Sequence, residues 1–122
     1  MKYYYCDTCK KIIEVINDTK VPTICCGHPM KELVPGEIEA SLEKHIPQYS
    51  IKDNVVYVNV GSIDHPMVDV HYIEWVSLET KNGVQRVKLN PGQEPKVEFA
   101  LLPNDEVVSV YAYCNIHGLW KK

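Results

Sequence analysis

The chain has 122 residues, 45 % of them hydrophobic and 24 % charged, with a formal net charge of −3; this is too apolar for a disordered chain and sufficient for one packed domain plus a small module. No basic block or aromatic-studded basic stripe is present, which argues against nucleic acid as a partner, and no apolar run approaches the ~20 residues that span a bilayer. The N-terminal MKYYYCDTCKK has neither an apolar h-region nor a small-residue cleavage site, so a cytoplasmic location is expected, where five cysteines read as metal ligands rather than disulfides.

The first segment, residues 1–35, carries four of those cysteines and is too short to build its own core. Chains below ~40 residues generally need a metal, a disulfide or a partner. Cys6-Asp7-Thr8-Cys9 is a C-x-x-C pair, and Cys25-Cys26 follows. Two thiolate pairs make a tetrahedral site suited to zinc or to iron. The contiguous second pair cannot share the C-x-x-C loop geometry, so distortion is expected at that edge. His28, just beyond, reads as a loop residue, because four thiolates already fill the site. Val34-Pro35-Gly36 marks a boundary.

Residues 36–122 read as short strands separated by turns. Ala40–Lys44 allows one helical turn. Residues 54–60 are rich in β-branched side chains. Residues 71–78 alternate, which places His71, Ile73 and Trp75 on one face. Asn82-Gly83 is a strong hairpin signal leading into 84–89. Pro91-Gly92 and Pro103-Asn104-Asp105 are turns, and 97–102 and 106–114 are the last two strands. The pattern predicts a mainly β chain: a small metal module followed by an immunoglobulin-like antiparallel β-sandwich.

The remaining histidines, His45, His65, His71 and His117, lie in loops or at strand ends, and Cys114 precedes His117 by three residues. Residues at strand ends can converge on one end of a sandwich. Four imidazoles and one thiolate exceed a tetrahedral zinc site and suit a metal accepting square-pyramidal or octahedral coordination, with one position left for substrate.

Three blocks, Glu43-Lys44-His45-Ile46-Pro47, His65-Pro66-Met67 followed by His71-Tyr72-Ile73-Glu74-Trp75, and Tyr113-Cys114-Asn115-Ile116-His117-Gly118-Leu119-Trp120, resemble the signature blocks of superoxide reductases. Cys6-x-x-Cys9 with Cys25-Cys26 resembles the desulforedoxin module, a rubredoxin-like one-iron site. Together they resemble the two-iron desulfoferrodoxin form. The resemblance implies two mononuclear non-haem irons. Cys6, Cys9, Cys25 and Cys26 would hold the first, in residues 1–35. His45, His65, His71 and His117 as equatorial ligands and Cys114 as axial ligand would hold the catalytic iron, in residues 36–122. It further implies one-electron reduction of superoxide to hydrogen peroxide without dioxygen release, a rubredoxin-like electron donor and a homodimer. Lys44 is expected to attract the anionic substrate and to hold a proton-donating water, and Glu43 to bind the open position of the ferric form. The amides of Asn115 and Ile116 are expected to donate to the Cys114 sulfur, while Trp75 and Trp120 are expected to pack. Two rivals remain: a blue-copper-like electron carrier, for which Cys114-x-x-His117 fits but no methionine follows, and a zinc-stabilised binding module. The metal content separates the three.

Overall fold

A computed structural model describes all residues, 1–122. The chain divides into two compact units, Met1–Val34 and Pro35–Lys122. No helix is long and apolar enough to cross a membrane.

The first unit contains β1 (Lys2–Tyr5), β2 (Ile12–Val15), β3 (Ile24–Cys25), β4 (His28–Pro29) and β5 (Lys31–Glu32). Strand β1 lies between β2 and β5, all antiparallel, and β3 and β4 form a separate two-residue ladder. Its buried apolar residues are only Tyr3, Cys6, Met30 and Leu33. So small a core cannot offset the entropy of ordering more than thirty residues, and the four cysteines are the available cross-link.

The second unit opens with a single helical turn, α1 (Leu42–His45), overlapping the 40–44 segment predicted to make one and running one residue beyond it. Seven strands follow: β6 (Pro47–Lys52), β7 (Val55–Val60), β8 (Ile73–Thr80), β9 (Val84–Lys88), β10 (Lys96–Ala100), β11 (Val107–Cys114) and β12 (Gly118–Lys121). They form two antiparallel sheets, ordered β10-β7-β6 and β12-β11-β8-β9, as expected of an immunoglobulin-like sandwich. Val56, Val58, Val60 and Phe99 of the first sheet meet Ile73, Val76, Leu78, Val110 and Ala112 of the second in one core. The hairpin predicted at Asn82-Gly83 joins β8 to β9. Strands β6 and β12 carry no strong pattern. Both lie at sheet edges; in β6 exposed residues such as Tyr49 and Ile51 blur the alternation, and in β12 three successive residues are buried.

The predicted alternation in β8 fails at one residue. Tyr113 pairs with Trp75 but Cys114 pairs with Ile73, so Glu74 is skipped and forms a β-bulge. A bulge reverses the facing of the residues beyond it. Ile73, Val76 and Leu78 therefore all reach the core, whereas Trp75 leaves the Ile73 face and stacks on Tyr113, with ring centroids 5.5 Å apart and planes 7° apart. Trp75 packs, as expected, but on the other side of the sheet.

Leu78 is fully buried between the sheets. Leu78→Ala is expected to cost roughly 2–5 kcal/mol, read by chemical denaturation. A second prediction concerns pH. Asp105 accepts hydrogen bonds from the Thr80 hydroxyl at 2.6 Å and the Glu106 amide at 2.9 Å, and the Thr80 bond above all holds its carboxyl below the usual range. A carboxyl depressed in the folded state stabilises above its unfolded pKa of about 3.9 and loses that contribution as pH falls through its lowered folded value. The advantage of the native chain over Asp105→Asn is thus present at neutral pH and shrinks in acid. A difference in denaturation midpoint that stays constant with pH would contradict this.

Candidate metal centres

In the first unit the four sulfurs of Cys6, Cys9, Cys25 and Cys26 lie within 4.8 Å of one another. The C-x-x-C loop is fixed by backbone bonds from the Cys6 amide to the Lys11 carbonyl and from the Lys10 amide to the Cys6 carbonyl. The Lys31 ammonium pins it further through the Asp7 carboxylate at 2.8 Å. The contiguous pair converges by a different device: Cys26 has φ 51°, in the left-handed region, followed by Gly27 at 77°. That reversal turns two neighbouring side chains, which would otherwise diverge, toward one point. The Cys9 and Thr8 amides, against the opposing effect of burial, draw the Cys6 thiol down to about 6. Cys25 is pushed up to about 12, foremost by Cys9, and Cys26 is raised as well, foremost by Cys6. Four thiolates so close repel one another, and a bound cation removes the conflict. His28 is exposed and lies outside the group.

The second cluster draws on three parts of the sandwich. His45 ends α1; His65 and His71 sit in the loop between β7 and β8; Cys114 ends β11 and His117 is the last residue of the three-residue turn to β12. The turn at Gly118, with φ 76°, brings the thiol and the imidazole of a C-x-x-H pair to the same side. In the 65–71 loop, Val68 and His71 exchange two backbone bonds of 3.0 Å. The Met67 sulfur receives the Ile73 amide at 3.4 Å, so it is engaged with backbone rather than offered as the thioether a blue-copper site uses.

The four imidazoles form a closed ring in the order His45, His65, His71, His117. Each neighbouring pair meets edge to face, with centroids 4.6, 4.7, 5.1 and 4.9 Å apart and planes inclined by 79–85°. Across the ring, His45 and His71 are 6.2 Å apart. His45 Nε2 is 3.1 Å from His65 Nε2 and 3.1 Å from His117 Nδ1. A square of that edge has its centre about 2.2 Å from each nitrogen, close to metal–imidazole bond lengths of ~2.0–2.1 Å. The Cys114 sulfur is 3.8 Å from His117 Nδ1.

The tautomers suit nitrogens that would face a cation. His45 Nδ1 lies 2.7 Å from the Ser41 carbonyl and His65 Nδ1 lies 2.7 Å from the Pro66 carbonyl. A carbonyl only accepts, so both Nδ1 atoms carry the proton and both Nε2 atoms carry lone pairs. Two lone pairs opposed at 3.1 Å repel unless something positive lies between them. Burial, above all, keeps the rings neutral: it lowers His45 and His71 and takes His65 down to about 4. His71 Nε2 is buried without any hydrogen-bond partner. Burial also raises the Cys114 thiol, opposed by the His117 and Ile116 amides. The residues present therefore suit a metal ion with imidazole and thiolate ligands.

Glu43 and Lys44 are exposed on α1 beside His45, and neither side chain hydrogen bonds to a ring. The expected Asn115 amide bond to sulfur is replaced: that amide donates to the Tyr72 carbonyl at 3.1 Å, and the His117 amide reaches Cys114 Sγ at 3.4 Å. Trp120 packs 5.0 Å from the His45 ring, and its Nε1 donates to the His117 carbonyl at 3.1 Å.

Nothing in the sequence pattern marks Gly61. Its φ is 87°, and a Cβ there would collide with the Ile63 carbonyl and stand 2.6 Å from the Glu43 carbonyl and 2.8 Å from the Lys44 carbonyl carbon. The Glu43 carbonyl is in turn held by the Ile63 amide at 3.0 Å. Gly61→Ala is expected to cost about 1–3 kcal/mol in backbone strain and to push the 43–45 segment outward. Reduced metal retention at the histidine cluster, with retention at the cysteine cluster unchanged, is the measurable result.

The family model for desulfoferrodoxin matches residues 37–122. A desulfoferrodoxin homolog from Archaeoglobus fulgidus is 44 % identical over 121 residues, covering 99 % of this chain and 95 % of the relative. A desulfoferrodoxin from Nitratidesulfovibrio vulgaris is 39 % identical over 118 residues, covering 97 % and 92 %. Among solved structures, the superoxide reductase from Treponema pallidum superposes with a TM-score of 0.83 at 32 % identity, covering 98 % of each chain. The one-iron superoxide reductase from Giardia intestinalis gives 0.56 at 31 %, covering 66 % of this chain and 95 % of that one. With a matching family model over most of its length and relatives this similar along nearly all of it, the chain belongs to the desulfoferrodoxin family.

Proposed function

We propose that this protein is a superoxide reductase that takes superoxide to hydrogen peroxide at the histidine–cysteine cluster. The observation that carries this is the square of inward imidazole nitrogens beside a buried thiol. Iron is the metal we assign to both clusters: Cys6, Cys9, Cys25 and Cys26 would hold one ion, and His45, His65, His71, His117 and Cys114 the other. Ferrous iron held by these residues would supply one electron, and with two protons superoxide would become hydrogen peroxide with no dioxygen released.

The chain's own residues set the conditions for this. Carbonyl contacts at Ser41 and Pro66 lock the His45 and His65 tautomers, so their Nε2 lone pairs point inward. The His117 amide steadies the Cys114 sulfur and tunes its donor strength. Trp120 covers one side of His45. The exposed Lys44 ammonium attracts an anionic substrate and holds a water that delivers a proton to the product. Glu43, on the same turn, would compete with the product for the metal. A small one-electron carrier of the rubredoxin type is the proposed donor, and a cytoplasmic homodimer the proposed form.

The test is anaerobic mixing of the reduced protein with superoxide. One peroxide formed per iron oxidised, without dioxygen, is expected; dioxygen evolution would indicate dismutation and overturn the proposal. Lys44→Ala is expected to lower the second-order rate by roughly tenfold or more and to flatten its dependence on ionic strength. Unchanged salt dependence would remove Lys44 from this role.

A further inference from the structure

The four imidazoles are not held in the same way. His45 and His65 are each anchored through the ring, by Nδ1 bonds of 2.7 Å to backbone carbonyls. His71 has no such bond: its Nε2 is buried without a partner, and no protein group hydrogen bonds to its ring. Its main chain is held instead, on both sides, by one residue of the opposite hairpin. Asn115 Oδ1 accepts the Tyr72 amide at 2.9 Å, Asn115 Nδ2 donates to the Val70 carbonyl at 3.2 Å, and the Asn115 amide donates to the Tyr72 carbonyl at 3.1 Å.

We infer that Asn115 is a positioning residue, whose side-chain amide brackets His71 from Val70 to Tyr72 and fixes that imidazole relative to the adjoining Cys114. Three features support it. Asparagine is the shortest side chain offering an acceptor and a donor on two separate atoms, and both are used on residues either side of the same ligand. The loop that carries His71 is otherwise tied by its own Val68 pairing, by the Met67 carbonyl accepting the Gly92 amide at 2.8 Å and by the Met67 sulfur accepting the Ile73 amide at 3.4 Å, and none of these bonds reaches the hairpin that carries Cys114. Val70 is largely exposed, so packing does little to hold the segment. Conserving hydrogen-bond capacity without this geometry is insufficient, because each bond has a direction.

The inference rests on the cluster being a metal centre, and the test separates the two. Full-length protein is stripped of metal and titrated anaerobically with ferrous iron against a competing chelator. Asn115→Ala is expected to weaken iron binding at the histidine cluster by about 10- to 100-fold while leaving the cysteine cluster unchanged, and to speed hydrogen exchange at the Tyr72 amide. Leu78→Ala serves as the comparison: it loosens the core at a residue paired with Val110, four residues along β11 from Cys114, without touching the bonds of Asn115, and should lose less iron affinity at a similar loss of stability. Asn115→Asp keeps an acceptor for Tyr72 but loses the donor toward Val70, and should bind iron more weakly than the native chain and more tightly than Asn115→Ala. If Asn115→Ala does not fold, Asn115→Asp decides. Native affinity in the Asn115 variants, or an equal loss in Leu78→Ala, overturns the inference. If the native protein takes up no iron at the histidines, the metal reading falls first and the inference with it.

Discussion

Two lone pairs, on His45 Nε2 and His65 Nε2, face each other across 3.1 Å. A change of tautomer cannot relieve them, because the opposite nitrogen of each ring donates its proton to a carbonyl, and burial opposes adding a second proton. The sandwich holds these rings in an arrangement that isolated imidazoles would leave. Its two sheets, with their shared core of valines and leucines, are the rigid frame that makes this possible, and cation binding relieves the repulsion. Fold stability and metal affinity are therefore linked: what the frame loses by opposing the donors, it recovers when the centre is filled.

The two clusters meet the same demand with different backbone devices. In the first unit a left-handed residue, Cys26, folds adjacent thiols toward one point. In the second, a bulge at Glu74 aligns Cys114 with Ile73, and a tight hairpin returns His117 to the same side. Each device lies at the place where regular secondary structure would point a ligand away. A further register shift, between Val107 and Ser109, lies at the other end of β11.

Much of this is legible in the residues. Cysteine spacing indicates the first cluster, and the histidines with Cys114 indicate the second, because ligand types and their intervals are written directly in the chain. The hairpin at Asn82-Gly83 and the core strands are legible for the same reason: turn chemistry and β-branched runs are local signals. Strands β6 and β12 are not: β6 is mostly exposed, and β12 has only four residues, three of them buried in succession, so neither alternates. Alternation puts Trp75 on the wrong face because a bulge adds one residue without altering composition. Gly61 and the Asn115 side chain give no local signal, because their importance lies in the distant segments that approach them. No window along the chain reports that a glycine at 61 abuts residues 43 and 44.

The contrast in sulfur exposure has a chemical consequence. Hydrogen peroxide oxidises accessible thiolates stepwise, through sulfenic to irreversible acids. Cys114 is 0 % exposed, screened by the rings and the hairpin, so an oxidant diffusing away from the open side does not meet it. Cys9 and Cys26 stand at the surface. An ageing molecule therefore loses its cysteine cluster before its histidine cluster, and the small unit sets the shelf life of the intact protein while the larger one retains its ligands.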